Sequence, residues 1–315
     1  MRSWCADLGP WRATINNTNP SPIPAATSEV GDCEFSNSQH GSLSTPLALK
    51  APPYLTGRQS AGQPNNKNVL RDACISMAFS SPSLIMEPVY KSLTERALSL
   101  KERLDNGSPA QHRVVVILAG PPGSGKSTIA AKVVQRLNAT STSPFAALVP
   151  MDGFHLPRSA LDRLPNRAEA YARRGASWTF DSDRVLNLVH SLSDSRFEAS
   201  SDTILAPSFD HALKDPVEDG IRITPEIKFV LLEGNYLLLD EEPWCHIEGL
   251  VDDSWFVDVD PILARGRIAK RHIKSGIERS WEAAVMRADG NDLVNGRVIR
   301  EKLVRPAVVV QSVEE

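Results

Sequence analysis

The sequence predicts an α/β protein built on a doubly wound, mainly parallel β-sheet. Short apolar runs rich in β-branched residues recur from Val114 onward, and stretches with helical spacing of apolar residues separate them. Strands that alternate with helices in this way are typical of parallel sheets with helices on both faces. The composition, with 41% hydrophobic and 23% charged residues, is that of an ordinary globular chain.

The first part of the chain has a different composition. Residues 1–80 are rich in Pro, Ser, Asn, Gly and Thr and contain few periodic apolar positions. Such a segment cannot bury enough apolar surface to offset its ordering entropy, so we expect a disordered extension. Met77 and Met86 both precede the first well-patterned stretch, and we expect the working protein to begin near them.

Charge and cysteine usage narrow the function classes. The formal net charge of −3 creates no field that would attract nucleic acid or anionic lipid, and no apolar run approaches the ~18 residues needed to cross a bilayer. The four cysteines, Cys5, Cys33, Cys74 and Cys245, lack the spacing of a zinc site or a disulfide framework. Because no apolar secretory segment follows Arg2, we expect a cytoplasmic protein, with a mitochondrial location left open. Its expected partner is a small molecule, not nucleic acid or membrane, and a homodimer is left open.

The folded part opens with a helix and a buried strand. Between residues 90 and 104, apolar residues recur at helical spacing, and Asn106-Gly107 follows as a stop signal. Val114 to Ala119 form a purely apolar run, which predicts a strand buried on both faces. Further strands are predicted at 145–150, 203–206, 228–232, 255–259 and 307–310. Further helices are predicted at 129–137, 184–192 and 262–274.

A phosphate-binding motif stands between the first strand and its helix. Residues 120–127 read GPPGSGKS, a full match to GxxxxGK[ST] in the strand-loop-helix context that this motif needs. Backbone N–H groups of such a loop converge on phosphate oxygens, Lys126 neutralises the β- and γ-phosphates, and Ser127 offers a hydroxyl to Mg²⁺. The sequence thus predicts a P-loop NTPase fold that uses ATP and Mg²⁺. The predicted ATP-binding residues of the loop are Gly120, Pro121, Pro122, Gly123, Ser124, Gly125, Lys126, Ser127 and Thr128.

Two carboxylates favour a kinase among the P-loop proteins. The chain has neither an NKxD guanine-reading motif nor an LSGGQ-like signature. Asp152 follows the second predicted strand, where a carboxylate would face the ligand crevice and could accept the proton of an attacking hydroxyl. Glu233 ends the apolar run at 229–232, the position of a carboxylate that holds Mg²⁺ directly or through water. We expect Asp152 to orient or deprotonate the acceptor, and Glu233 and Ser127 to serve the metal.

Seven short motifs follow one another in a specific order. They are Asp152-Gly-Phe-His, Arg173-Arg174-Gly175, Thr179-Phe180-Asp181, Pro207-Ser-Phe-Asp210-His211, Glu233-Gly-Asn-Tyr, residues 267–272 and Asn291-Asp292. This order resembles that of the phosphoribulokinase, uridine kinase and bacterial-type pantothenate kinase superfamily. In detail the chain looks most like the nucleoside- or sugar-kinase-like subgroup, whose substrates are often unsettled. The resemblance implies a P-loop kinase domain over residues 86–315 with a helical lid over about 261–276.

The resemblance also implies roles on the acceptor side. Asp152 is the catalytic carboxylate and Glu233 the second acidic member of the site. Arg173 and Arg174 would lie near the acceptor, where guanidinium groups can clamp an anionic or polyhydroxylated molecule. Phe209 stands where the family usually has Tyr, so one hydroxyl of the pocket is missing. The implied substrate-binding residues are Asp152, His155, Arg173, Arg174, Asp210, His211 and Tyr236.

The helix predicted at 262–274 concentrates positive charge and resembles the lid of this family. Its basic residues are Arg265, Arg267, Lys270, Arg271, His272 and Lys274. Arg267 and Arg271, four residues apart, would project from one face, and we favour them over Arg265 as ATP contacts. The catalytic set that follows is Asp152, Lys126, Glu233 and Arg271. Asn291 and Asn295 are expected, from the resemblance, to border the nucleotide base.

The sequence leaves the phosphate acceptor open. A nucleoside, a pantothenate-like molecule and a sugar each offer a hydroxyl, and the pocket residues do not choose among them. An alternative from another class is a regulatory ATP-binding or ATPase protein that phosphorylates no acceptor. Its sign would be loss of the catalytic carboxylate, whereas Asp152 is present. We therefore predict transfer of the γ-phosphate of ATP to the hydroxyl of a small molecule.

Overall fold

The computed structural model describes residues 82–107, 113–194 and 202–314, so the expectation for residues 1–80 lies outside the described residues. The strands in this range are β1 Val114–Ala119, β2 Ala146–Pro150, β3 Ile204–Asp210, β4 Asp215–Ile223, β5 Phe229–Gly234, β6 Asp253–Val259 and β7 Val308–Ser312. The α-helices are α1 Pro82–Gly107, α2 Lys126–Ala139, α3 Arg158–Leu161, α4 Arg167–Ala172, α5 Ser182–Asp194, α6 Pro261–Lys274, α7 Trp281–Arg287 and α8 Leu293–Glu301. Short 3₁₀ turns lie at Met151–Phe154, Ser177–Thr179, Trp244–His246 and Glu248–Leu250, and a π-helical turn lies at Ala288–Asp292.

Five strands form one sheet in the order β2-β5-β1-β6-β7, and every neighbouring pair in it is parallel. Alternate residues of the central strand β1 point to opposite faces. Val115 and Ile117 belong to one hydrophobic core, whereas Val116 and Leu118 belong to the other. The sheet is therefore buried on both sides, and the predicted doubly wound α/β class is confirmed.

Helices cover both faces of this sheet. On one face, Leu93 of α1 and Val133 of α2 pack into a core with alternate residues of β1 and β5. On the other face, Val185 of α5 and the aromatic side chain of Tyr236 complete the second core. Helix α6 has its own small cluster around Ile268, next to the end of β6. This small cluster packs α6 separately from the two cores of the main sheet.

The strand predicted at 203–206 is wrong in its placement. The segment is part of β3, which pairs antiparallel with β4 in a separate two-stranded sheet. β4 was not predicted, because residues 215–223 contain a proline, a glycine and four charged residues, and their apolar alternation is confined to Ile221-Arg222-Ile223. The register shift between Ala206 and Ser208 marks a β-bulge, which bends this hairpin.

The register of the main sheet brings three loops to one edge. Glu233, near the end of β5, lies opposite Leu118 of β1 on one side and Pro150 of β2 on the other. The loop after β1 and the 3₁₀ turn after β2 therefore flank Glu233, at the edge where parallel sheets bind ligands. Over the described residues, no helix combines the length and apolar character that crossing a membrane requires.

Candidate active site

The phosphate-binding motif forms a tight loop between β1 and the first residue of α2. Gly123 and Gly125 have φ values of 78° and 82°, in the left-handed region that favours glycine. A Cβ added to Gly120 would lie 2.6 Å from the carbonyl oxygen of Val257, so this position also needs glycine. The loop backbone thus lies at the N-terminus of α2, where free N–H groups and the helix dipole favour an anion.

Lys126, Ser127 and Glu233 meet directly beside this loop. The Ser127 hydroxyl donates a hydrogen bond to Oε1 of Glu233 at 3.0 Å, while the buried Oε2 of Glu233 has no partner among the described residues. Burial raises the pKa of Glu233, and the charge of Lys126 opposes that shift. Burial also lowers the pKa of Lys126, against the attraction of Glu233 and Asp152. The hydroxyl oxygen of Ser127 and the unpartnered Oε2 of Glu233 therefore lie close to the ammonium group of Lys126.

Asp152 occupies the 3₁₀ turn that follows β2. Pro150 of β2 pairs with Glu233 of β5, so Asp152, two residues later, lies at the same edge of the sheet as Glu233. The turn is pressed against β3, because a Cβ added to Gly153 would lie 2.1 Å from the carbonyl oxygen of Pro207. Asp152 is only partly exposed, so the turn presents one carboxylate to the cleft from a rigid base.

His155 closes the same turn with its aromatic neighbours. Its Nδ1 lies 2.8 Å from the carbonyl oxygen of Asp152, and its ring centroid lies 4.0 Å from that of Phe180 and 5.0 Å from that of Phe209. Burial lowers the pKa of His155 from 6.5, and Asp152 opposes the shift only in part. The imidazole is therefore neutral at pH 7, and its Nδ1–H is the atom that donates to the carbonyl.

Arg174 is held by protein groups. Its guanidinium donates to the carbonyl oxygens of Lys214, at 2.7 Å, and Leu156, at 3.2 Å. It also forms an ion pair with Asp215 at 3.3 Å. Its Nε is buried without a hydrogen-bond partner in the described part of the chain. The side chain thus ties the β3–β4 hairpin to the loop at 173–175 and keeps one free N–H.

Arg173, in the same loop at 173–175, is held by the segment that contains Asn291 and Asn295. Arg173 donates to the carbonyl oxygen of Gly290 at 3.0 Å and to Oδ1 of Asn295 at 2.8 Å. Asn291 donates to the carbonyl oxygen of Arg174 at 3.0 Å. Both asparagines therefore contact the loop at 173–175, and neither lines the cavity beside the phosphate loop.

The remaining acceptor-side residues lie around this loop. Tyr236 is buried, its hydroxyl donates to the carbonyl oxygen of Gly175 at 2.7 Å, and burial raises its pKa. Asp210 accepts hydrogen bonds from the backbone N–H groups of two turn residues, at 2.7 and 3.0 Å, which lower its pKa. His211 is exposed and lies against Phe209, with 5.3 Å between the ring centroids. Tyr236 and Asp210 thus hold backbone groups through hydrogen bonds, whereas the His211 side chain is exposed to solvent.

The arginines of α6 differ in what they contact. Arg267 donates to the carbonyl oxygen of Gly123 at 3.3 Å and to the hydroxyl of Ser312 at 2.8 Å, which fastens α6 to the phosphate loop and to β7. Arg271 is exposed, and its positive charge contributes to lowering the pKa of Lys126. Arg265 is bonded instead to Asp289 at the surface.

A cavity of about 570 Å³ opens beside the phosphate loop. Its walls include Tyr90 of α1, Thr128 of α2, Arg267 of α6 and Ser312 of β7. Of these, Tyr90 and Ser312 were missed by the sequence reasoning, because they belong to no motif and reach the site only through packing. A weak signal was available for Ser312, which follows the last apolar run and so lies near the strand end that bears ligands.

Comparisons with known proteins identify similar chains. A Schizosaccharomyces pombe protein, C227.14, assigned to the uridine kinases by its name alone, is 39% identical over 223 residues, covering 71% of this chain and 90% of its own. The structure of a Silicibacter sp. TM1040 protein named as a fructose transport system kinase is 32% identical and has a TM-score of 0.58, covering 69% of this chain and 98% of its own. YFH7 from Saccharomyces cerevisiae, described as a P-loop kinase with a circular permutation, is 27% identical and has a TM-score of 0.63, covering 72% of this chain and 99% of its own. No family model matches the sequence.

Proposed function

This chain belongs to the P-loop kinases of the uridine kinase and phosphoribulokinase family, and from that premise we propose that it transfers the γ-phosphate of ATP to a hydroxyl group of a neutral small molecule. The observation that carries the proposal is the convergence of Lys126, Glu233 and Asp152 at the carboxyl ends of three adjacent strands. Phosphoryl transfer needs mainly positioning and charge neutralisation, and one cation with two carboxylates supplies both.

On the donor side, different groups would bind the phosphates of ATP, its nucleoside and the metal ion. The loop N–H groups and Lys126 would hold the phosphates, and the cavity beside Thr128 and Tyr90 is large enough for the nucleoside. Ser127 and the unpartnered Oε2 of Glu233 fit Mg²⁺, which takes oxygen ligands and retains several waters. When bound, Mg²⁺ would neutralise charge on the transferring phosphate. The lid arginine Arg271 would add positive charge from the opposite side.

The acceptor side favours a neutral molecule over a carboxylate-bearing one. The guanidinium groups of Arg173 and Arg174 are largely used on protein oxygens, and His155 is neutral. What remains for an acceptor is the Asp152 carboxylate and the aromatic ring of Phe209, both partly exposed. Such a surface suits a nucleoside or a sugar, because it offers hydrogen bonds and stacking without unpaired positive charge.

The test is ATP consumption with Mg²⁺ against uridine, cytidine, fructose, ribose, pantothenate and glycerate. We expect turnover with a neutral acceptor, and a fall of roughly 10²- to 10⁴-fold in kcat for Asp152→Asn, which keeps the shape of the side chain and removes its basic oxygen. Asp183→Asn, at an exposed carboxylate in the first turn of α5, is the matched control and should behave as wild type.

Two results would count against this function. Slow hydrolysis that no acceptor stimulates, and that Asp152→Asn leaves unchanged, would favour a regulatory ATPase. The highest kcat/KM with pantothenate or glycerate would retain the kinase but refute the neutral acceptor, since it would require an arginine to leave its protein partners.

A further inference from the structure

Two arginine–aspartate pairs join α6 to the π-helical turn at Ala288–Asp292, and their geometries differ. Arg265 forms two hydrogen bonds with Asp289, at 2.6 and 2.7 Å, and both side chains are about half exposed. Nη2 of Arg271 lies 3.5 Å from Oδ1 of Asp292, and no hydrogen bond joins the two side chains. The first pair occupies two N–H donors of its arginine, whereas the second pair occupies none.

Asp292 is the better anchored member of the second pair. Only 13% of its side chain is exposed, against 59% for Arg271. Its other carboxylate oxygen lies 3.4 Å from Nε2 of the buried His272. Burial raises the pKa of Asp292, and the charges of His272, Arg271 and Arg287 oppose that shift. A fixed carboxylate therefore lies beside a long, flexible cation.

Helix α6, which carries Arg271, packs on the phosphate loop: Arg267 donates to the carbonyl oxygen of Gly123 at 3.3 Å, and a Cβ added to Gly123 would lie 2.9 Å from the carbonyl oxygen of Ala264. The charges of both Arg271 and Asp292 act on the ammonium group of Lys126, and that of Asp292 also acts on the hydroxyl of Tyr236. Arg271 makes no side-chain hydrogen bond to any described residue, so its five N–H donors are free for phosphate oxygens. Without a partner, so exposed an arginine would spread over many rotamers, since its side-chain entropy is worth about 2 kcal/mol.

We propose that Asp292 is a positioning residue that holds the guanidinium of Arg271 over the phosphate loop, ready for the γ-phosphate. The proposal rests on the proposed function, because it requires ATP on that loop. Asp292 attracts Arg271 without forming the short bidentate contact that would compete with phosphate. The neighbouring Arg265–Asp289 pair, on the same two elements, provides the contrast, because there a bidentate contact already fixes the guanidinium on its carboxylate.

The experiment is calorimetric binding of Mg·AMP-PNP and Mg·ADP to the full chain and to four variants. Asp292→Asn and Arg271→Ala should each weaken AMP-PNP binding by ~10-fold, the loss of one charge-assisted contact, and change ADP binding by less than ~3-fold. The double variant should bind AMP-PNP no more weakly than Arg271→Ala alone, since Asp292 acts through Arg271. Asp289→Asn, the matched control, should bind both nucleotides as wild type does.

The outcomes separate this proposal from the function on which it rests. Wild-type affinity in Asp292→Asn, equal loss for ADP and AMP-PNP, or additive losses in the double variant would each overturn it while the kinase assignment stands. A wild-type protein that binds neither nucleotide would overturn both. If Asp292→Asn does not fold, Asp292→Glu decides instead, because shifting the carboxylate should weaken AMP-PNP binding when Arg271 is present and have no effect in Arg271→Ala.

Discussion

Glu233 is a residue at which stability and function conflict. It is the last residue but one of a fully buried strand, its side chain is enclosed, and Oε2 has no hydrogen-bond partner among the described residues. Burial raises its pKa more than Lys126 and Ser127 lower it. The ionised side chain therefore costs folding free energy in the ligand-free protein, as is common where a group is placed for chemistry and not for packing.

We predict that Glu233→Gln stabilises the ligand-free protein at pH 7.5 while lowering turnover by at least ~100-fold. Because the folded pKa lies above the unfolded value of 4.5, the cost is present at neutral pH and disappears as the pH falls below 4.5. The melting temperature should rise by roughly 2–4 °C for each kcal/mol gained, and the gain should vanish near pH 4.

The control for this prediction is Glu248→Gln, at an exposed carboxylate whose neutralisation should leave the melting temperature unchanged. A Glu233→Gln protein that melts below wild type at pH 7.5 would contradict the prediction. It would mean that attraction to Lys126 outweighs burial.

At the scale of elements, the 3₁₀ turn at Met151–Phe154 depends on its close approach to β3. A Cβ on Gly153 would meet the carbonyl oxygen of Pro207 at 2.1 Å and its carbonyl carbon at 2.6 Å. Both are backbone atoms, so no side-chain rotation can relieve the contact. We predict that Gly153→Ala lowers the free energy of unfolding by roughly 1–3 kcal/mol and also lowers kcat, because the turn that presents Asp152 must move.

Urea unfolding midpoints with turnover measurements check this prediction. Gly249→Ala is the matched control, because it also lies in a 3₁₀ turn and an added Cβ there has no atom within 4 Å. The prediction would be refuted by a Gly153→Ala protein with unchanged midpoint and turnover.

The sequence predicted some of these elements and missed others. β1 and the phosphate loop were predicted closely, because an apolar run and a glycine motif are local signals. The order of motifs predicted the family, which the similar chains confirm. The β3–β4 hairpin was missed as a separate sheet, and the π-helical turn was missed entirely, because polar strands and an inserted helical residue leave no periodic pattern. The contacts of Arg173 and Arg174 depend on distant segments, so no local signal could reveal them.

At the scale of the whole molecule, a neutral imidazole links folding to pH. His155 is packed between Phe180 and Phe209, and burial lowers its pKa from 6.5. The positive charge of Arg174 reinforces the shift, while Asp152 opposes it. Between its folded pKa and 6.5, the unfolded chain binds a proton here that the folded protein does not. The stability contribution is therefore fully present above pH 6.5 and is lost as the pH falls towards the folded pKa.

We predict that the free energy of unfolding of the ligand-free protein falls between pH 7.5 and 5.5, and that His155→Asn reduces this fall by up to about 1.4 kcal/mol for each unit by which the pKa is depressed. Asparagine suits the test because it keeps an N–H near Nδ1 for the Asp152 carbonyl and cannot titrate. Other ionisable groups contribute to the wild-type slope, so the difference between the two proteins is the quantity to measure by urea unfolding.

His190→Asn, at an exposed histidine, is the control and should retain the wild-type slope. Parallel slopes for His155→Asn and wild type would mean that His155 does not stay neutral, and the neutral acceptor surface inferred for the site would lose one of its supports.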